Sequence, residues 1–334
     1  MVVSTFSYFF PTTVVFIDDD ISFVNALTNK IENGKSFIVS KHYDPLNTLE
    51  MINSISCSNS FGHFEVAGNK DDDPDQESVA FDISKLHREV YNRDRFSKIS
   101  VVVVDYMMPE IDGITFCSKI ADKNIQRILL TGVSDVKIAI KAFNEGQINR
   151  FIRKATENLV EEITESINKS INRYFSVQTA EVARHLCAYE YSHLKDPIFA
   201  DFFFKSYFSE RCAEYYMLDT YGSYMFLDSG GHATLLSIMS ENELNRITQF
   251  AIESGIATRD VLKKLQSRKF LLAIHRQNGQ LPSVIEWHKY LKPANRIDCY
   301  QTYYFAIFDD DALDIEFNKI INFDSFKQAH NMLG

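Results

Sequence analysis

The amino-acid sequence predicts an α/β protein, with a five-stranded doubly wound parallel sheet followed by a C-terminal α+β domain on an antiparallel sheet. Three observations carry this expectation. Short apolar runs without alternation recur through the first half, and such runs mark strands buried on both faces. Stretches with apolar residues at helical spacing separate them, which is the alternation of a parallel sheet. Beyond Asp196-Pro197 the pattern changes to short aromatic runs divided by glycine turns.

Bulk properties bound the answer. A chain of 334 residues fits two domains, and 45% hydrophobic residues, with 27 Phe and 16 Tyr, suffice for two cores. The net charge of −10 argues against a general nucleic-acid coat or an anionic membrane surface, though not against one local basic face. The five cysteines (Cys57, Cys117, Cys187, Cys212, Cys299) are scattered and none forms Cys-x-x-Cys. Neither a disulfide framework nor a zinc site is supported, and a reducing compartment fits. Ser4 to Phe10 is aromatic but lacks a basic region, so it does not read as a signal peptide. No apolar run reaches membrane-spanning length. The expectation is a soluble, cytoplasmic protein.

Each element follows in turn. Thr13 to Ile17 reads as the first strand and ends in Asp18-Asp19-Asp20. Ile21, Val24, Leu27 and Ile31 share one helical face, and Gly34 stops that helix. Lys35 to Val39 reads as the second strand, and Pro45 to Ile55 as a helix opened by proline. Residues 57–98 form an unusually long connection with an acidic patch, Asp71-Asp72-Asp73-Pro74-Asp75, and Leu86, Val90 and Tyr91 suggest a helix near its end. Val101 to Val104 is the central strand, stopped by Asp105, and Pro109 and Gly113 break the chain before a helix over 114–120. Arg127 to Gly132 is the fourth strand. Ser134 is placed to cap a helix from Asp135 to Asn144, and Gly146 to end it. Ile148 to Arg153 is the fifth strand, followed by Lys154.

The strand ends therefore carry Asp18, Asp19, Asp105, Thr131 and Lys154. In a doubly wound sheet these ends converge at the switch point. Three gathered carboxylates stay ionised only around a cation, and hard oxygen ligands suit Mg2+. A metal-bound aspartate beside a lysine and a threonine hydroxyl is a phosphoryl-acceptor arrangement. A lone aspartate after a strand is commonly a loop cap, and it is the agreement of five spaced elements that argues for function. Asp20, the third acid, suits a helix N-cap. Met107 stands where an Asp-x-Asp phosphatase would need its second acid.

On these residues the first half resembles the receiver domain of bacterial two-component response regulators, a flavodoxin-like sheet. The resemblance implies that Asp105 is the phosphorylated aspartate and that a sensor histidine kinase is the donor. It implies Asp18 and Asp19 as the acidic pair, with the Met107 carbonyl completing the metal's protein ligands. Thr131 becomes the switch hydroxyl, Phe151 the switch aromatic and Lys154 the phosphate-pairing lysine, with Gly132 keeping the pocket open. Phe151 fits ordinary edge packing equally well. An unphosphorylated receiver serving only for dimerisation is the alternative. Two departures stand out. Receivers usually follow the lysine with a cis proline, whereas this chain has Ala155, and the 57–98 insertion is atypical.

From Thr156 onward Leu159, Ile163, Ile167, Ile171 and Tyr174 line one helical face, which continues through Val182 and Leu186 towards Tyr191. One reading packs this face on the sheet, and another pairs its extension with a second subunit. The expected domains are a receiver over 1–174, a helical connector over 175–195 and an output domain over 196–334. In the last, 214–219, 222–228 and 233–239 read as an antiparallel meander of a four- or five-stranded sheet. Helices over 243–253 and 258–266, and strands over 270–274 and 303–308, follow. Ala251, Gly255 and Val261 have helix-turn-helix spacing, and Arg259, Lys263, Lys264, Arg268 and Lys269 make the second helix basic. Two helices simply packed on a sheet explain the same residues. His232, His275 and His288 are isolated, and Asp228 to His232 reads as a hairpin turn. A receiver with this output resembles the Legionella-type quorum-sensing response regulators. The whole chain is expected to form a signal-dependent homodimer through the extended helix, with an output that binds DNA, a nucleotide or another protein.

Overall fold

The computed structural model describes residues 7–31, 37–58, 67–68, 79–80, 88–132, 135–188, 196–206, 212–218, 223–273, 283–309 and 316–331. Strands β1 (Tyr8–Phe9) and β2 (Thr12–Ile17) come first, then helix α1 (Ile21–Ile31), strand β3 (Phe37–His42) and helix α2 (Pro45–Ser58). Strands β4 (Ala67–Gly68) and β5 (Val79–Ala80) pair as a short antiparallel ribbon inside the long connection. Next come β6 (Ile99–Asp105), α3 (Gly113–Lys119), β7 (Gln126–Thr131), α4 (Val136–Asn144), β8 (Arg150–Arg153) and the 30-residue helix α5 (Leu159–Ala188). By contacts the chain divides into two compact units. One joins Phe10–Glu65 to Asp94–Ala180, and the other joins Met1–Phe9 and Val66–Arg93 to Glu181–Gly334.

The first unit is the expected five-stranded parallel sheet, in the order β3-β2-β6-β7-β8. Every residue of β2, β6 and β7 is buried, which is why their sequences run apolar without alternation. The edge strand β3 is half exposed from Val39 to His42, so polar Ser40, Lys41 and His42 extend it past the expected end at Val39. Lys35 and the expected stop at Gly34 lie outside the described residues, as does Ser134. Gly146 ends α4 as expected, at φ +70°, with the Gln147 amide donating to the carbonyl of Ala142. In place of the helix suggested by Leu86, Val90 and Tyr91, a 3₁₀ turn covers Glu89–Tyr91, and Leu86 lies outside the described residues. Along α5, Ile163, Ile167, Ile171, Tyr174 and Phe175 are buried, and the helix reaches Ala188. Tyr191 lies outside the described residues.

The second unit adds helix α6 (Pro197–Ser206), strands β9 (Glu214–Met217), β10 (Tyr224–Leu227) and β11 (Ala233–Ser240), and helices α7 (Glu241–Glu253) and α8 (Arg259–Gln266). Strands β12 (Phe270–Leu272), β13 (Leu291–Pro293), β14 (Asn295–Asp298) and β15 (Thr302–Asp309) and helix α9 (Phe323–Asn331) complete it. The meander β9-β10-β11 matches the expected runs, with a turn at Gly230-Gly231 between β10 and β11 and Tyr221-Gly222 outside the described residues, and it lies in an antiparallel sheet ordered β1-β9-β10-β11-β15-β14. The sheet has six strands where four or five are expected. The extra strands are short. Tyr8 and Phe9 pair with Tyr216 and Tyr215, and Asn295–Asp298 is a largely exposed polar edge. Strand β12 pairs with β13 in a separate ribbon. Ala251 and Val261 are buried in one cluster with Leu244, Leu265 and Trp287, and Gly255 turns between the helices at φ +67°. No helix among the described residues is long and apolar enough to cross a membrane.

Candidate functional site

The site forms at the carboxyl ends of β2, β6, β7 and β8. The sheet order reverses between β2 and β6, and a doubly wound sheet opens its crevice at such a reversal. Asp18 follows β2, Asp105 closes β6, Thr131 closes β7 and Lys154 follows β8. Asp18, Asp105 and Thr131 are buried, Lys154 is half-buried and Asp19 is exposed.

Local sequence chemistry fixes each position. Asp18 Oδ1 accepts from the amide of Asp20 at 3.0 Å, and Asp20 Oδ1 accepts from the amide of Phe23 at 3.0 Å. Asp20 thus holds the first turn of α1, the capping role its position suggested. Asp105 Oδ2 accepts from the amide of Met107 at 3.2 Å. The loop then turns back, with the Gly113 amide donating to the Tyr106 carbonyl at 2.9 Å. A Cβ on residue 113 would stand 2.2 Å from the Asp105 carbonyl oxygen and 2.8 Å from Leu129 Cδ1, so only glycine fits. Asp112 caps α3 by accepting from the amides of Ile114 and Thr115.

The charges are arranged around one ammonium. Lys154 Nζ lies 2.7 Å from Asp18 Oδ2 and 2.8 Å from Asp105 Oδ1. Its backbone amide donates to the Thr131 carbonyl at 2.9 Å. The Lys154–Ala155 bond is trans. Burial pushes the Asp105 carboxyl above its ordinary range and the Asp18 charge adds to this, while the bond from Lys154 opposes both. Burial works against the Lys154 charge, but hydrogen bonds to Asp105 and Asp18 outweigh it and hold the ammonium above its ordinary value.

Asp18, Asp19 and Asp105 each offer an oxygen within 4.8 Å of the others, a hard-oxygen set that fits a divalent cation. The Thr131 hydroxyl is buried without a hydrogen-bond partner among the described residues. Buried polar groups are normally satisfied, so a hydroxyl at this strand end suits hydrogen bonding to a bound group. Phe151 is half-buried on β8, its ring against Phe143 with centroids 6.5 Å apart. The Met107 side chain is exposed. The structure thus gathers the five predicted strand-end residues and leaves Phe151 on the flank. Sequence reasoning missed Phe23, whose ring lies 4.5 Å from Lys154 Nζ. In the sequence it is one more apolar residue in an amphipathic helix.

Comparisons with known proteins agree with this geometry. The family model of the response regulator receiver domain matches residues 78–168. The response regulator LqsR of Legionella pneumophila is similar over 98% of this chain and 97% of its own, at 30% identity and a TM-score of 0.81. An adenylate cyclase structure from Rhodopirellula baltica covers 52% of this chain and 98% of its own, at 24% identity and a TM-score of 0.36. A receiver domain protein from Clostridium thermocellum covers 48% and 95%, at 20% identity and a TM-score of 0.34. No curated protein matches. Similarity to LqsR along nearly the whole of both chains, together with the receiver match around Asp105, means that this chain belongs to the response regulators of two-component signal transduction.

Proposed function

We propose that the protein is a phosphorylation-controlled response regulator in which Asp105 accepts a phosphoryl group from a sensor histidine kinase. The observation that carries this is the Lys154 ammonium bridging Asp18 and Asp105, with the Lys154 backbone bonded to Thr131, whose buried hydroxyl has no hydrogen-bond partner among the described residues. A carboxylate oxygen of Asp105 attacks phosphorus. Lys154 pairs with the charge that develops on the phosphoryl oxygens, and Thr131 turns its hydroxyl onto one of them. Asp18, Asp19 and Asp105, with the carbonyl of Met107, would hold Mg2+, which when bound neutralises charge on the phosphoryl group. The protein is an acceptor, with at most weak self-dephosphorylation. The free cysteines Cys117, Cys212 and Cys299 suit a cytoplasmic setting.

Phosphorylation draws Thr131 towards the phosphate, resets the face around Phe151 and changes homodimerisation through α5. The second unit then acts on DNA, a nucleotide or a protein in signal-dependent gene regulation, in the manner of quorum sensing. A role without DNA contact is favoured by how α8 spends its charge. Lys264 pairs with Asp260 at 2.8 Å and Arg268 bonds to Asn245, leaving Arg259, Lys263 and Lys269 as the exposed cations of that segment.

The first test is labelling by acetyl phosphate with Mg2+. The wild type gains one phosphoryl group by intact mass, and Asp105→Asn gains none. Retained labelling in Asp105→Asn would sink the assignment.

A further inference from the structure

We propose that Phe23 is a positioning residue for Lys154, a role that rests on the phosphoryl-acceptor reading. An ammonium has three N–H donors. Two are aimed at Asp18 Oδ2 and Asp105 Oδ1, at 2.7 and 2.8 Å. The Phe23 ring stands 4.5 Å from the same nitrogen, well inside cation–π range. Its place is set by the acidic run, because Asp18 Oδ1 holds the Asp20 amide and Asp20 Oδ1 holds the Phe23 amide. One short segment therefore supplies two acids and the aromatic wall behind the lysine.

The chain has reason to use such a wall. A lysine stem is flexible, and restraining it costs rotamer entropy. The residue after Lys154 is alanine in a trans bond, so no proline ring stiffens the loop there. The wall also matters to the reaction. With acetyl phosphate, a bond forms from Asp105 Oδ to phosphorus as the phosphorus–oxygen bond to acetate breaks. Acetate leaves with the electron pair and carries away one negative charge, while the transferred phosphoryl group brings its own negative oxygens to Asp105 in place of the carboxylate charge. The ammonium must follow that charge. An aromatic face lets it slide without losing attraction, which a directional hydrogen bond does not.

The test is the labelling rate of full-length Phe23→Leu and Phe23→Trp with acetyl phosphate and Mg2+, each also made with Lys154→Met. Leucine keeps apolar bulk and removes the ring face, so Phe23→Leu should label about 2- to 10-fold more slowly. Phe23→Trp should stay near the wild type, and with Lys154→Met neither variant should matter further. An equal loss with and without Lys154 would overturn the proposal, as would unaltered labelling in Phe23→Leu. If the wild type takes up no phosphoryl group, the acceptor reading falls by itself. The Lys154 ε-methylene proton shift then decides the contact: an upfield position lost in Phe23→Leu supports it, and an unmoved one overturns it.

Discussion

Asp112 accepts hydrogen bonds from the amides of Ile114 and Thr115 and from the Thr115 hydroxyl, and so anchors the loop that leaves Asp105. Burial pushes its carboxyl up, but these bonds outweigh burial and hold it below the ordinary value of 3.8. A depressed folded-state value means that the ionised cap contributes stability above pH 3.8, lost as the pH falls through the lower folded value. Asp112→Ala should cost about 1 kcal/mol at neutral pH. The gap from the wild type, followed by urea unfolding, should close in strong acid, and a gap constant with pH would refute the cap. At this scale the acids and Lys154 were legible because each ends an apolar run, where a charge must have a reason. Gly113 read only as a chain breaker, although it allows the close packing of its loop against Asp105. That constraint is a distance between segments, which spacing cannot express.

Helix α6 shows what element-level reading lost. Asp196-Pro197 marked a boundary, yet Phe199 and Phe203 on successive turns are buried against Tyr303 and Tyr224. Four phenylalanines in a short run hide helical periodicity. The buried Asp196 accepts from the amides of Ile198 and Phe199 through Oδ1 and from the amide of Tyr300 through Oδ2 at 2.6 Å. One side chain thereby caps α6 and ties it to the segment before β15. Asp196→Ala strands three amides and should cost about 3 kcal/mol by denaturant titration. A loss below about 1 kcal/mol would mean that water replaces the carboxylate. The parallel strands were legible because burial on both faces leaves only β-branched and apolar residues. β14 was not, since an exposed edge strand has no apolar pattern to read.

For the whole molecule, phosphorylation should change assembly and output together. Acetyl phosphate with Mg2+ should shift the wild type towards a dimer in sedimentation, and Asp105→Asn should not respond. In parallel, capture of genomic fragments at fixed physiological salt separates the two outputs. Enrichment abolished by Lys263→Glu would make α8 a DNA contact, and no enrichment in either state would turn the search to a nucleotide or protein. The change of pattern at Asp196 does not mark where the two contact units divide, which is at Glu181, and the contribution of Tyr8 and Phe9 to the six-stranded sheet was not legible, because two residues carry no period. That pairing also bears on synthesis. Tyr8 leaves the ribosome more than two hundred residues before its partner Tyr216, a delay of roughly 10–40 s at ordinary translation rates. During that interval an aromatic strand waits without its neighbour, so slowing translation between them should lengthen the nascent chain's dependence on chaperones.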